Sequence, residues 1–224
     1  MKVCVLIPAF NEHAAIGDTV KEARKLGLEV IVIDDGSTDG TKEVSEASGA
    51  SVIRFEKNRG KGAALKEGFK AAAAADYEGI IVMDGDGQHD PKEIPKFIKK
   101  AQDTDAAIII GNRMSDPKGM PFHRFITNLF MSAFLSLICG QKVPDSQCGY
   151  RLIKSAFLSK VNILSSNYEI ESEMIIKAGR MGRKIESVPV ESVYRGEKSR
   201  INPLKDTWRF FAMINRMVLG GRKR

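Results

Sequence analysis

Five short apolar runs, rich in β-branched side chains, punctuate the first half of the chain: residues 3–7, 30–33, 51–55, 80–83 and 107–110. They are nearly unbroken rather than alternating. That pattern predicts strands buried on both faces. Between them, residues 14–26, 41–48, 61–75 and 91–101 carry helical patterning. Pro91 directly follows Asp90, which suits a capped first helical turn. Strand and helix alternating at this spacing predict an α/β fold, Rossmann-like, with a mostly parallel central sheet sandwiched by helices.

The second half reads differently. Over residues 121–140, Phe122, Phe125, Ile126, Leu129, Phe130, Ala133, Phe134, Leu137 and Ile138 repeat at helical spacing. Arg124, Asn128, Ser132 and Ser136 form a narrow polar stripe at four-residue intervals. A helix so apolar is either a core or dimer helix, or one lying in a membrane interface. Residues 203–218 carry a second amphipathic pattern with Trp208, among Lys205, Arg209 and Arg216. It suits an anionic membrane surface, and equally suits packing on the domain with its charges in solvent. The chain thus reads as one domain, 1–224, with a first half at 1–115 and a second at 116–224 that carries both amphipathic helices.

Composition is that of an ordinary globular protein, 43% hydrophobic and 28% charged. The formal charge of +7 is concentrated at the end. From Lys177 onward, thirteen lysines and arginines face four acids. Such an end suits nucleic acid, an anionic membrane or a phosphorylated substrate. It lacks the aromatic platform that stacks bases, which argues against nucleic acid. Cys4, Cys139 and Cys148 are odd in number and lack metal-ligand spacing, so they read as reduced thiols of a cytosolic protein. The first residues read as a strand rather than a signal peptide. With no uninterrupted run of ~18 apolar residues, no transmembrane span is expected.

In sheets of this kind, ligands bind at the carboxyl ends of the strands. The segments there are Pro8-Ala9-Phe10-Asn11-Glu12, Asp34 to Gly40, Asp84 to Asp90, and Gly111-Asn112-Arg113. Three acidic or polar loops and one arginine converge on one edge. Asp84 and Asp86 flank Gly85 in a tight turn, which can aim carboxylate oxygens at one hard cation, Mg²⁺ or Mn²⁺. Gln88 adds a carbonyl oxygen. The spacing is not that of a calcium loop, because its sixth and twelfth positions would be His89 and Pro95. Gly60-Lys61-Gly62 lacks the third glycine of a dinucleotide fingerprint. Its glycines are expected to open the following helix, and Lys61 to be a solvated charge or, as the alternative, a phosphate contact.

Together with Asn58 to Gly62 and Gln147-Cys148-Gly149-Tyr150-Arg151, these motifs resemble the family 2 glycosyltransferases. The likeness is greatest to the branch of polyprenol- and dolichyl-phosphate mannose synthases, and it runs from residue 3 to about residue 211. The resemblance implies the glycosyltransferase A fold and a set of roles. Pro8, Ala9, Phe10 and Glu12 would line the donor pocket with Gly85, and Asp35 would reach the base. Asp84 and Asp86 would hold the diphosphate through the metal, with Gln88 as a further ligand. Arg113 would meet a donor or acceptor phosphate. Arg195, Lys198 and Arg200 would lie in a loop that closes over phosphates. Glu169 and Glu171 would organise neighbouring loops.

The implied donor is GDP-mannose or UDP-glucose, and the implied acceptor a polyprenyl phosphate at the cytoplasmic face of a membrane, with Arg124 pointing at its phosphate. Leaving-group charge would be neutralised by the divalent cation near Asp86, assisted by Arg113. A phosphate acceptor is ionised near neutral pH and needs no base. A hydroxyl acceptor needs a carboxylate to take its proton, for which Asp145 is the candidate. Three other readings are a soluble transferase with a hydroxyl acceptor, a non-catalytic nucleotide-sugar or RNA binder, and a nucleotidyltransferase. The binder leaves the paired aspartates without a purpose. The nucleotidyltransferase lacks its glycine-rich amino-terminal loop.

Overall fold

The first apolar run becomes β1 (Val3–Ala9), a strand with neighbours on both sides. The computed structural model describes residues 1–191 and 203–220. In chain order, α1 (His13–Lys25), β2 (Glu29–Asp34), α2 (Thr41–Ala47), β3 (Ser51–Arg54), α3 (Lys61–Ala74), β4 (Gly79–Val82), α4 (Ile94–Asp103) and β5 (Ile108–Asn112) follow. All five expected strands and all four expected helices of the first half are present. Asp90 caps the turn before α4 by accepting the Lys92 N–H at 2.9 Å, which spares one otherwise unpaired donor.

The second half contributes α5 (Phe122–Cys139), β6 (Arg151–Lys154), α6 (Ser155–Leu158), α7 (Glu169–Arg180), β7 (Ile185–Pro189) and α8 (Pro203–Gly220). Both halves supply strands to a single seven-stranded sheet, ordered β3-β2-β1-β4-β6-β5-β7. β6 runs antiparallel between β4 and β5, and every other pairing is parallel. From β1 the chain crosses to β2 on one side and later to β4 on the other. The β1–β4 boundary is therefore the switch point outside which ligands bind in open α/β sheets.

The sequence pattern did not predict β6, β7 or α7. β6 is four residues long and opens on an arginine, a poor signal for a buried strand. Arg151 is nevertheless fully buried. It donates to Cys148 O (2.7 Å), Ser146 O (2.7 Å) and Glu171 O (3.0 Å). A buried guanidinium is tolerable only when its donors are used in this way.

α5 turns its polar stripe toward the domain and its apolar face outward. Asn128 and Ser132 face the domain and are buried with Leu135, while Phe122, Phe130 and Leu137 are 77%, 68% and 82% exposed. Eighteen residues of α-helix span about 27 Å. By length and composition alone α5 could cross a membrane, where the sequence led us to expect no span. α8 packs beside it through Phe210, whose ring lies 6.1 Å from that of Phe134, and Arg180 ties it to α7 by donating to Met217 O at 3.0 Å. Trp208 and Phe211 remain exposed. Cys4, Cys139 and Cys148 are free thiols. Burial pushes the Cys4 and Cys148 thiols up to about 12, so both stay protonated.

Candidate active site

The loops after β1 and β2 lock together. Asn11 takes a positive φ of 53°, a conformation asparagine tolerates better than most residues. Its N–H donates to Ser37 Oγ, and its Oδ1 accepts the Thr38 N–H, both at 2.9 Å. Glu12 N–H donates to Thr41 Oγ1 at 2.9 Å. Asp34 is fully buried, accepting the Ser37 N–H at 2.9 Å with Arg54 Nε 3.4 Å from its other oxygen. These bonds present Pro8, Ala9, Phe10 and Glu12 beside Asp35.

Asp35 accepts the N–H groups of Arg59 (2.7 Å) and Gly60 (2.9 Å), one on each oxygen. Burial pushes its carboxyl up, and these backbone bonds pull it partly back. Asp35 thereby anchors the turn that starts α3. Gly60 has φ +95°, and a Cβ there would lie 2.6 Å from Ser166 O. A Cβ on Gly62 would meet the Ser166 carbonyl carbon at 2.6 Å. The two glycines therefore let α3 pack directly on the backbone of the 166–167 segment.

That packing delivers Lys61 inward, contrary to its expectation as a solvated charge. Its Nζ lies 2.6 Å from Asp84 Oδ1 and 2.8 Å from Glu171 Oε1. Burial opposes the ammonium, but the two carboxylates outweigh it and raise its pKa. For Asp84 burial also works against charge. Lys61 dominates in the other direction, helped by His89 and Arg113, so the carboxyl sits below its usual range.

The Asp84–Gln88 turn rests on α1, through Ala15 and Ile16, and against Gly149 just before β6. A Cβ on Gly85 would lie 3.3 Å from Glu12 Cγ, so Glu12 and the turn are in contact range. Gly87 takes φ +76°. Asp86 Oδ1 accepts the Gln88 N–H at 3.0 Å. His89 Nδ1 accepts the Asp84 N–H at 3.2 Å, and its ring stacks on Tyr150 at 4.9 Å. Burial pushes that imidazole down to about 4, leaving it neutral. Behind Asp84 lies Gly149, where a Cβ would sit 2.6 Å from Asp84 Oδ2.

At the end of β5, Arg113 grips Asp145 in a fork: Nε to Oδ2 at 2.8 Å and Nη2 to Oδ1 at 2.9 Å. Arg113 N–H adds a bond to Oδ2 at 3.0 Å, and Asn128 Nδ2 one to Oδ1 at 2.7 Å. Burial pushes the Asp145 carboxyl up, but Arg113 and Asn128 bring it below the ordinary value. A buried carboxylate engaged by four donors is a poor proton acceptor. The Arg113 charge also lowers both the Asp84 carboxyl and the His89 imidazole.

Glu12, Asp35, Asp84, Asp86 and Arg113 thus gather at one edge, as their strand-end positions predict. Arg124 lies on α5, half-buried, one turn before Asn128. Arg195, Lys198 and Arg200 lie outside the described residues. The ion pairs of Lys61 with Asp84 and Glu171, and the bond from Asn128 to Asp145, are not legible in the sequence, where Glu171 has only a loop-organising part. The glycines flanking Lys61 were a signal that its backbone is closely packed. The four-residue polar stripe marked Asn128 but not its partner Asp145.

The comparisons with known proteins point one way. Residues 4–161 match the family model described as glycosyl transferase family 2. An uncharacterized protein of Methanocaldococcus jannaschii is 38% identical over 199 residues, covering 86% of this chain and 82% of that one. A UDP-N-acetylglucosamine–dolichyl-phosphate N-acetylglucosaminyltransferase of Methanococcus voltae is 30% identical over 215 residues, covering 86% of each. Among solved structures, glucosyl-3-phosphoglycerate synthase from Mycobacterium tuberculosis in complex with Mn²⁺, UDP and phosphoglyceric acid is similar with a TM-score of 0.74. It is 22% identical, with coverage of 98% of this chain and 78% of that one, a likeness of fold.

Proposed function

The chain belongs to glycosyl transferase family 2 and is a glycosyltransferase of the A fold; on that premise we propose that it moves a sugar from a nucleoside-diphosphate sugar to the phosphate of a polyprenyl phosphate. The observation that carries the proposal is the Lys61–Asp84 pair, 2.6 Å apart beside the switch point of the sheet, with the Arg113 charge also lowering the Asp84 carboxyl. Carboxylates and cations alternate there, as a diphosphate with its counter-ion requires. The Methanococcus voltae relative, named for a dolichyl-phosphate acceptor, supports the lipid phosphate.

The donor set fits a divalent cation. Asp84 and Asp86 offer hard carboxylate oxygens, and the space behind Asp84 is kept clear by Gly149, where a Cβ would fill it. Asp84 and Asp86 would hold Mg²⁺ or Mn²⁺, with Gln88 as a further ligand. Such an ion neutralises negative charge on a departing diphosphate. The mycobacterial synthase, solved with Mn²⁺ and UDP, supports this assignment.

The chain's own residues do the rest. Pro8, Ala9, Phe10, Glu12 and Gly85 line the donor side, with Asp35 holding the turn that carries Lys61. Lys61 keeps the Asp84 carboxylate charged and oriented. Arg113, fixed by Asp145, presents its charge to a substrate phosphate. The saturation of Asp145 favours a phosphate acceptor over a hydroxyl. A phosphate monoester arrives ionised, and Asp145 is poorly placed to take a proton. The exposed face of α5, with Trp208 and Phe211 of α8, is the surface we assign to the membrane. Arg124 is assigned to the lipid phosphate. The donor sugar is a hexose (mannose on GDP or glucose on UDP) or an N-acetylated hexosamine.

The test is a panel of GDP- and UDP-sugars with Mn²⁺ or Mg²⁺ and a short polyprenyl phosphate, run on wild type and Asp86→Ala. One donor should give a lipid-phosphate sugar. Asp86→Ala should lose turnover and metal-dependent donor binding while its melting temperature holds. Unchanged turnover in that variant rejects the metal-centre assignment, and transfer only to hydroxyl acceptors rejects the lipid phosphate.

A further inference from the structure

We propose that Asn128 is a positioning residue for Arg113, acting through Asp145. Asn128 is 1% exposed on a helix whose opposite face is apolar and open. A buried amide without partners is costly, and this one has a directed use. Its Nδ2 donates to Asp145 Oδ1 at 2.7 Å, and its Oδ1 faces Ser132 Oγ at 3.0 Å. The carboxylate can only accept, so the amide orientation follows from its partners.

The same stripe stitches the Asp145 loop to α5 at successive turns. Ser132 Oγ accepts the Ser146 N–H at 2.8 Å, and Ser136 Oγ accepts the Val143 N–H at 2.9 Å. Ser136 in turn donates to Ser132 O at 2.7 Å. The loop backbone is therefore held by the serines, and Asn128 alone on this stripe reaches the carboxylate. It binds Oδ1, the oxygen that also receives Arg113 Nη2 at 2.9 Å. Rotation of the carboxylate would break that arm of the fork and swing the guanidinium plane. Asn128 closes off that rotation.

The role rests on the transferase reading only in that Arg113 acts on a substrate phosphate. Its test reads Arg113 directly. The Nε–H resonance of Arg113 is followed in protein labelled with ¹⁵N-arginine and identified by its loss in Arg113→Lys. In Asn128→Leu that resonance should shift or broaden. Turnover should fall ~10-fold or more, as small misplacements of a positioning group do, with donor KM within ~twofold. In an Asp145→Asn background, Asn128→Leu should add less than ~twofold, because coupled residues are not additive. Asn128→Ser, which adds no bulk, is read the same way should the leucine variant fail to fold. An unmoved resonance with wild-type turnover overturns the role, as does a full additive loss in the Asp145→Asn background. A moved resonance in a protein that does not act on polyprenyl phosphate sustains the role and rejects the acceptor instead.

Discussion

Lys61 Nζ lies 2.6 Å from Asp84 Oδ1, so a lysine from the start of α3 serves as the fixed counter-ion of the carboxylate that follows β4. Glu171 of α7 completes the pair from the other side at 2.8 Å. Three elements distant in sequence thereby meet on one ammonium. Replacing Lys61 by methionine should leave two carboxylates facing each other without their shared ammonium, with Arg151 Nη2 still 3.3 Å from Glu171 Oε2. Asp84 is partly exposed, so the expected loss is about 1–3 kcal/mol, less than for a fully buried pair. Urea unfolding measures it. Adding Asp84→Asn should recover part of the loss, and a Lys61→Met protein as stable as wild type would show the pair to be inconsequential.

Gly149→Ala should damage activity more than stability. Its Cβ would sit 2.6 Å from Asp84 Oδ2 and 3.2 Å from Lys61 Nζ. The methyl group must turn the carboxylate aside. Turnover should fall ~10-fold or more, with the far-ultraviolet dichroism of the folded protein retained. Full activity would mean that Asp84 can move without consequence.

The Arg113–Asp145 fork predicts a pH dependence of stability. An aspartate ordinarily titrates near ~3.9, and Asp145 lies lower in the fold. As pH falls, the unfolded chain takes up the proton first. The stabilisation is complete above the ordinary value and drains as pH falls toward the folded one. The stability gap between wild type and Asp145→Asn should therefore be constant between pH ~7 and ~5 and narrow below ~4. A gap that stays flat through the acid range contradicts the depressed carboxyl.

The open face of α5 predicts lipid binding. Phe130 and Leu137 are 68% and 82% exposed. Wild type should sediment with anionic liposomes at low salt and be released as salt rises. A Phe130→Ser/Leu137→Ser protein should stay in solution while keeping its melting temperature. Equal sedimentation of the two would move the contact elsewhere.

Much of the scaffold was legible because the signals are local. A short run rich in β-branched residues such as 80–83, bounded by Gly79 and the Asp84-Gly85 turn, reads as a buried strand. Pro91 behind Asp90 is a helix start by backbone chemistry alone. The acidic turns follow from the same reading, since a glycine-rich acidic turn after a buried strand falls at the carboxyl edge of the sheet. β6 escaped because its burial depends on carbonyl partners for Arg151 at Ser146, Cys148 and Glu171, which no local pattern displays.

The amino-acid sequence by itself determined the alternating elements, the sheet edge where Asp35, Asp84, Asp86 and Arg113 gather, and the amphipathic spacing of α5. Only the tertiary structure decided which way those groups face. Periodicity groups residues on a helix side but carries no sign for inward or outward. The stripe of Asn128, Ser132 and Ser136 turned inward because the 143–146 loop offered it hydrogen bonds. Lys61 turned inward because Asp84 and Glu171, 23 and 110 residues away, offered it charge. Both outcomes depend on partners that chain folding alone brings within reach.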